Sequence, residues 1–325
     1  MRALVIIFSI LISSAVSSQT LEIVRARDYI NCAVNMEGHG FSNIDSSGIS
    51  RGIGPDMCRV LSTAILGSPD KVRIYHIYSR DQIAMTASGN YDVAIRTTEQ
   101  TLYTDSFLGV VFTNSYFYDY QTIAVKKSNK IKVPKDLDGS VICLSQGNST
   151  ERAITEFMRK NGATITILSF SEMPQAVDSF DSGRCDAYTT DRFLMHGNLL
   201  KSTRNKDDIE ILDWNIKDKT YGIMVKKGDE RWFNIVRWVI NAIMLAEREG
   251  ITSQDTRKQL SGFSDNNNIK LGLDRDWLPR TLRSQGNYGE IYDRNFGLNS
   301  KIDWPDRDLN RQCNQGGRIC PTSLH

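Results

Sequence analysis

No CxxC pair occurs anywhere in the 325 residues, and the four histidines are scattered, none of them close to a cysteine pair. Zinc sites are built from converging Cys and His ligands with recognisable spacing, so neither a metal nor a thiol-based centre finds support here. Lys and Arg form no run: 40 basic side chains are spread among 38 acidic ones, for a net charge of +2 with His neutral. Without a basic patch, nothing calls for DNA, RNA or an anionic membrane surface. A phosphate-cradling glycine loop, an internal repeat and a low-complexity tract are all missing. After the N-terminus, no apolar run reaches the ~20 residues that a membrane-spanning helix needs. The longest, IVRWVINAIMLA at 235–246, contains Arg237 and reads as an amphipathic or buried helix.

What is present starts with the first 20 residues, MRALVIIFSILISSAVSSQT. A single early Arg, a short apolar core from Ala3 to Ile12 and a small-residue exit predict a secretory leader, residues 1–18, cleaved after Ser18. A buried N-terminal helix is the plainer alternative. No Cys follows the apolar core, which argues against a lipid anchor. Six cysteines suit an exported chain: Cys32, Cys58, Cys143, Cys185, Cys313 and Cys320. An even count in an oxidising compartment suggests three disulfides, and sequential pairing is the simplest of many connectivities. Length predicts two domains at roughly 100–200 residues each. Hydrophobic and aromatic contents of 40% and 9% are enough for real cores.

Along the chain, strand and helix patterns alternate. YINCAVN (29–35), KVRIYHI (71–77) and YDVAI (91–95) read as strands. Between them, PDMCRVLSTAIL (55–66) and RDQIAMTAS (80–88) read as helices, stopped by Gly67 and Gly89. The order β-α-β-α-β predicts parallel strands covered on both faces. A second unit of the same kind follows at roughly 125–220: strand SVICLSQ (140–146), helix ERAITEFMRKNG (151–162), strand TITILSF, helix MPQAVDSFDSG and strand CDAYTT. DERWFNIVRWVINAIMLAEREG (229–250) is the strongest helix by period, with Trp232, Ile235, Val236, Val239, Ile243 and Ala246 on one stripe.

In open parallel sheets, ligands sit beyond the carboxyl ends of the strands. Three loops qualify. RTTEQTLYTD (96–105) follows YDVAI. GNST (147–150) follows SVICLSQ and joins a backbone of close approach at Gly147 to a helix start at Asn148, favourable for a carboxylate or for a simple cap. TDRF (190–193) follows CDAYTT and offers Asp191, suited to an ammonium group or to an ordinary turn.

Several longer stretches then resemble one family. NYGEIYDRNFG (287–297), GDERWFNIVRWV (228–239), SGRCDAYTTD (182–191) and SVICLSQGNSTE (140–151) are similar to stretches of the general L-amino-acid-binding periplasmic proteins, family 3 solute-binding proteins that feed ABC importers. The resemblance runs from about Ile30 to Leu309. It implies an α/β Venus-flytrap fold: two open, mostly parallel sheets joined by a two-strand hinge near Tyr118–Ala124 and Tyr221–Val225. Residues 19–122 with 222–325 would form one lobe and 123–221 the other. It implies the pairs Cys32–Cys58 and Cys143–Cys185; Cys313 and Cys320 fall outside the family's habit, and their pairing follows from spacing alone. No cofactor and no enzyme activity are implied. The implied partners are a small amino-acid-like ligand and the importer's permease, and the implied state is a periplasmic monomer without a membrane anchor.

Site residues carry over unevenly. Asp191 matches the acid that takes the ligand's ammonium, and Gly147, Asn148 and Ser149 match the loop that takes its carboxylate. Phe41 matches an aromatic that packs on the ligand, while Thr97 and Glu99 lie on the first-lobe loop. That loop departs from the pattern: Thr104 stands where an Arg usually clamps the carboxylate, Glu99 where a hydroxyl is usual, and Gln100 where a Trp is typical. A Thr hydroxyl is one neutral donor against a charged planar fork. Arg96, Arg80 and Arg192 are the nearest replacements by sequence, and Arg96 is favoured because it opens the same loop. The alternative is the same fold retuned by Glu99 and Asp191 to a cation such as a polyamine. A lyase or dehydratase on this fold is a third reading, with two carboxylates dividing acid and base roles.

Overall fold

The structure, a computed structural model, describes residues 19–36, 38–77, 82–146, 149–199, 206–256, 270–298, 300, 302 and 307–324. The expected leader, Arg80, Gly147 and Asn148 lie outside the described residues.

Two five-stranded sheets organise the chain. In the first, β1 (Ile30–Asn35) lies between β4 (Val72–Ile77) and β5 (Val93–Ile95), parallel to both, with Cys32 opposite Ile74 on one side and Val93 on the other. All of β1 but Asn31 is buried, as expected of a parallel strand with both faces covered. β6 (Val110–Phe112) and β12 (Met224–Lys226) complete this sheet in the order β4-β1-β5-β12-β6, β12 running antiparallel to both neighbours. A small hairpin of β2 (Asn43–Ile44) and β3 (Ser50–Arg51) precedes the helix Ile53–Leu66.

The second sheet has the order β11-β7-β10-β8-β9. Its β8 (Val141–Ser145), β9 (Thr166–Phe170) and β10 (Ala187–Asp191) are parallel, while β7 (Phe117–Lys126) and β11 (Ile209–Tyr221) run antiparallel at one side. Helix Thr150–Lys160 covers one face, packing Ile154 and Met158 on Ile123, Val125 and Ile142. Helix Met173–Asp181 covers the other, packing Val177 and Phe180 with Ala124 and Tyr188.

The chain passes from the first sheet to the second between β6 and β7 and returns between β11 and β12. The two passages are stitched together: Thr113 N donates to Ile223 O at 2.9 Å, Tyr116 N to Tyr221 O at 2.9 Å, and Ile223 N to Thr113 Oγ1 at 3.0 Å. Two adjacent strands are therefore the main connection between the sheets. The C-terminal segment lies across it. Asn310 exchanges two hydrogen bonds of 2.8 Å with the backbone of Tyr118, and Asp308 pairs with Arg192 at 2.6 Å.

The elements expected from the sequence pattern fall within two residues of their observed ends. Other features go beyond that pattern. RTTEQTLYTD does not remain a loop: its second half opens the helix Leu102–Phe107. β11 and the helices Trp277–Gln285 and Tyr288–Phe296 had no assigned pattern. All three sequential disulfides are closed, with Cα separations of 6.1 Å for Cys32–Cys58, 5.8 Å for Cys143–Cys185 and 5.3 Å for Cys313–Cys320.

The long helix Glu230–Arg248 buries its predicted stripe in the first sheet's core. Asp229 caps it, accepting from Trp232 N at 2.9 Å and from Thr20 N at 2.7 Å, which also docks the N-terminal helix Thr20–Arg27. Trp232 is fully enclosed and donates its indole N–H to Asp92 O at 2.9 Å. Trp232→Ala is expected to cost about 3–5 kcal/mol, read as a lower urea midpoint; Trp232→Phe, which keeps a ring but orphans the Asp92 carbonyl, is expected to cost less.

Candidate functional site

The ends of the two sheets that face each other are polar on one side and aromatic on the other. On the second sheet, strand pairing sets Asp191 opposite Gln121, and Gln121 opposite Lys217; Asp119 faces Lys219 and Phe117 faces Tyr221. Directly opposed residues share a face, and so do residues two apart on one strand. Asp119, Gln121, Asp191, Lys217, Lys219 and Tyr221 therefore form one strip. The strip continues the face that helix Thr150–Lys160 covers, and Gln121 Nε2 donates to Thr150 O at 3.0 Å where that helix begins.

Lys219 is the buried cation of this strip, only 4% exposed along its side chain. Its ammonium donates to Ser149 Oγ at 3.0 Å and lies 3.7 Å from Glu99 Oε2 and 3.8 Å from Asp191 Oδ1. Lys217 binds the other oxygen, Glu99 Oε1, at 2.6 Å. Ser149 donates its hydroxyl to Glu99 Oε2. Glu99 comes from the loop after β5, on the first sheet, whereas Ser149, Lys217 and Lys219 belong to the second. Burial alone would raise the Glu99 carboxyl, but the bonds from Lys217 and Ser149 and the field of the two lysines hold it below its ordinary value.

Asp191 accepts the Tyr221 hydroxyl at 2.7 Å on Oδ2. Its Oδ1 is buried and has no hydrogen-bond partner among the described residues. Burial, then the fields of Asp191 and Asp119, push the Tyr221 phenol well above its usual value, so it remains a donor. Asp119 is buried on the same strip. Desolvation and the Asp191 charge push its carboxyl up to about 8, against the bond it accepts from Phe193 N at 3.1 Å. Such a site holds a carboxylate oxygen with no hydrogen bond, 3.8 Å from the Lys219 ammonium, beside an anion seat whose anion is supplied by Glu99.

The remaining residues of the sequence reading occupy varied places. Ser149 is in the cluster. Thr97 Oγ1 accepts from Asn35 Nδ2 at 3.0 Å, and Thr97 N donates to Asn35 Oδ1 at 3.2 Å. Thr104 forms a reciprocal cap with Thr101: Thr101 N donates to Thr104 Oγ1 at 2.8 Å and Thr104 N to Thr101 Oγ1 at 3.1 Å. Arg96 is buried and donates through Nη1 to the carbonyls of Val34, at 2.7 Å, and of Ile77, tying β1 to β4; burial lowers its guanidinium to about 10. Arg192 binds Tyr120 Oη at 2.8 Å and Asp308 at 2.6 Å. Phe41 is fully enclosed, with ring centroids 5.0 Å from Phe193, 5.5 Å from Phe117 and 6.2 Å from Tyr221. A cavity of about 370 Å³ lies elsewhere, between the strand crossing and the long helix, lined in part by Gln100, Asn114, Ser115 and Arg237; none of the charged cluster lines it.

Sequence reasoning missed Lys217, Lys219 and Tyr221 as site residues. A usable signal existed in IKDKTY (216–221), an alternating charged stretch entering the expected crossing at Tyr221.

Two sheets joined by two crossing strands, with polar side chains meeting between them, define a two-lobed solute-binding protein. The comparisons narrow this. The chain is 33% identical to the general L-amino acid-binding periplasmic protein AapJ of Rhizobium johnstonii, over 94% of this chain and 92% of that one. It is also 33% identical to the glutamate/glutamine/aspartate/asparagine-binding protein BztA of Rhodobacter capsulatus, over 94% of each. A solved periplasmic binding protein from Brucella ovis with glutathione bound is 34% identical, with a TM-score of 0.86, covering 95% of this chain and all of that one. A family profile described as NMT1/THI5 like matches residues 71–225. The chain belongs to the general amino-acid-binding family of periplasmic ABC-transporter proteins.

Asp119 makes the site's pH response testable. Its folded carboxyl titrates near 8 against an ordinary 3.8, so between these values the folded state binds more protons than the unfolded one. Its contribution to stability is complete below about pH 4 and drains as pH rises through about 8. Asp119→Asn is expected to flatten the fall in urea midpoint across that interval; an unchanged slope would contradict the assignment.

Proposed function

We propose that the chain is the periplasmic binding component of an ABC importer and takes an amino acid, or a small conjugate with an amino-acid end, between its two lobes. The observation that carries this reading is the paired set in the cleft. Asp191 Oδ1 is a buried oxygen that accepts no hydrogen bond among the described residues and has the Lys219 ammonium at 3.8 Å, and Ser149, Lys217 and Lys219 converge on one carboxylate. An α-ammonium and an α-carboxylate ask for these two poles. One named relative is a general L-amino-acid-binding protein and the other binds glutamate, glutamine, aspartate and asparagine, and the Brucella ovis neighbour holds glutathione, whose γ-glutamyl end carries both groups. The cationic-ligand reading loses its premise, because Glu99 is already held by two lysines.

In this reading the cation that Thr104 fails to supply comes from the second lobe as Lys219 and Lys217. Arg96, Thr97, Thr104 and Phe41 hold the wall in place, while Gly147–Ser149 and Asp191 meet the ligand. Residues 1–18 export the chain, residues 19–122 and 222–325 close against 123–221, and the permease reads the closed monomer. The named relatives are binding proteins, and the chain works here as a binder with no chemical step.

A thermal-shift panel of the proteinogenic amino acids, glutathione and putrescine tests this, on protein refolded after denaturation to strip carried ligand. Stabilisation by at least one amino acid or by glutathione is expected, about 2.7 kcal/mol at a hundred times Kd. Asp191→Asn should weaken that ligand by roughly 10–100-fold, the scale of one hydrogen bond to a charged group. Stabilisation by putrescine alone would overturn the reading.

A further inference from the structure

Both oxygens of the Glu99 carboxylate are engaged across the cleft: Oε1 by Lys217 at 2.6 Å, and Oε2 by the Ser149 hydroxyl, itself bound by Lys219 at 3.0 Å. Ser149 also stands at the start of the helix Thr150–Lys160, where backbone N–H groups favour negative charge. A carboxylate gripped at both oxygens, at a helix start, between two ammonium groups is what a bound ligand carboxylate would look like. Here it belongs to the chain.

The loop that carries Glu99 is fastened on both sides. Thr97 is bonded to Asn35 and Thr98 Oγ1 to Gln82 at 2.6 Å, and the Thr101–Thr104 cap closes the far end. Thr104 Oγ1 also donates to the Glu99 carbonyl at 3.3 Å. The reach of Glu99 is thus set by its backbone, and Thr104 helps to set it. The seat is not sealed: the Glu99 side chain is 19% exposed and that of Lys217 is 35% exposed, so a competing carboxylate has access.

We propose that Glu99 is an internal surrogate for the ligand's carboxylate: it latches the first lobe to Ser149, Lys217 and Lys219 of the second, and an incoming carboxylate binds by displacing it. The displacement half rests on the amino-acid reading above; the latch does not. The latch holds the lobes together before ligand arrives and makes closure partly independent of it. Occupancy of the seat by Glu99 lowers apparent affinity in proportion to the fraction of open seats. It therefore sets a threshold below which carboxylate ligands are ignored.

The test compares wild type, Glu99→Gln and Ser149→Ala, each refolded after denaturation. Small-angle X-ray scattering without ligand reads the latch: both variants are expected to have a larger radius of gyration than wild type. Equal radii in all three would overturn the latch. Calorimetry with the stabilising amino acid or glutathione reads displacement. Glu99→Gln is expected to bind roughly tenfold tighter, as when a seat filled nine-tenths of the time is vacated. Equal or weaker binding by Glu99→Gln would overturn displacement. If no ligand of the panel binds either protein, the amino-acid reading and the displacement built on it both fall, while scattering still decides the latch.

Discussion

An ammonium group as deeply buried as that of Lys219 has to be neutralised, and the cleft is arranged around that requirement. Desolvating a charge costs several kcal/mol unless partners compensate. Lys219 has a hydroxyl at 3.0 Å and carboxylates at 3.7 and 3.8 Å. Those partners arrive from three different places: Ser149 from a helix start, Asp191 from the end of β10, and Glu99 from the first sheet. The need of one side chain thereby draws both lobes to a common point. It also explains how Glu99 and Asp191 can share the cleft: lysines stand beside both. The first wall contributes a negative charge, and the positive charges come from the opposite wall.

Lys219 reaches this position through an irregularity in β11. The ladder pairs Leu212 with Ile123 and then Lys217 with Gln121, so Asp213–Ile216 stand opposite Thr122 alone. Without that slip, Trp214 would face Gln121 and Ile216 would face Asp119. The strip would then carry an indole and an aliphatic side chain where it now carries two ammonium groups. Trp214 and Ile216 instead pack against the core beneath helix Thr150–Lys160. The polarity of the cleft on this side is thus fixed by a bulge, a common device for re-aiming side chains near functional sites.

This contrast explains how much could be read from the sequence. The central parallel strands β1 and β8 were legible because each is covered on both faces and bounded by turn residues; INCAVN and VICLS carry that information locally. Asp191 and Ser149 were legible because strand ends in open sheets point at clefts, whatever the rest of the chain does. Lys217 and Lys219 were not, because their facing depends on a register that only pairing with β7 defines. Arg96 shows the opposite limit. Its place in the loop suggested a ligand clamp, yet β1 and β4 end in carbonyls that need a donor, and the guanidinium serves them. Local sequence reports that a charge is available, not which of two nearby needs takes it.

The bulge itself has to be held, and the hydrogen bonds around it lead to the C-terminus. Tyr120 Oη donates to Asp213 Oδ1 at 2.6 Å, at the first residue of the slip. Arg192, next to Asp191, donates to the same Tyr120 oxygen at 2.8 Å and pairs with Asp308 at 2.6 Å. Asp308 opens the short turn through Asn310 that grips Tyr118, and the Cys313–Cys320 loop follows it. Arg318 of that loop reaches back to Asp218 at 3.5 Å, between the two lysines. The C-terminal segment is therefore anchored at both ends of the stretch that aims Lys217 and Lys219. The Cys313–Cys320 disulfide becomes intelligible on this view. It closes the loop whose Arg318 pairs with Asp218, next to the two lysines that β11 turns into the strip.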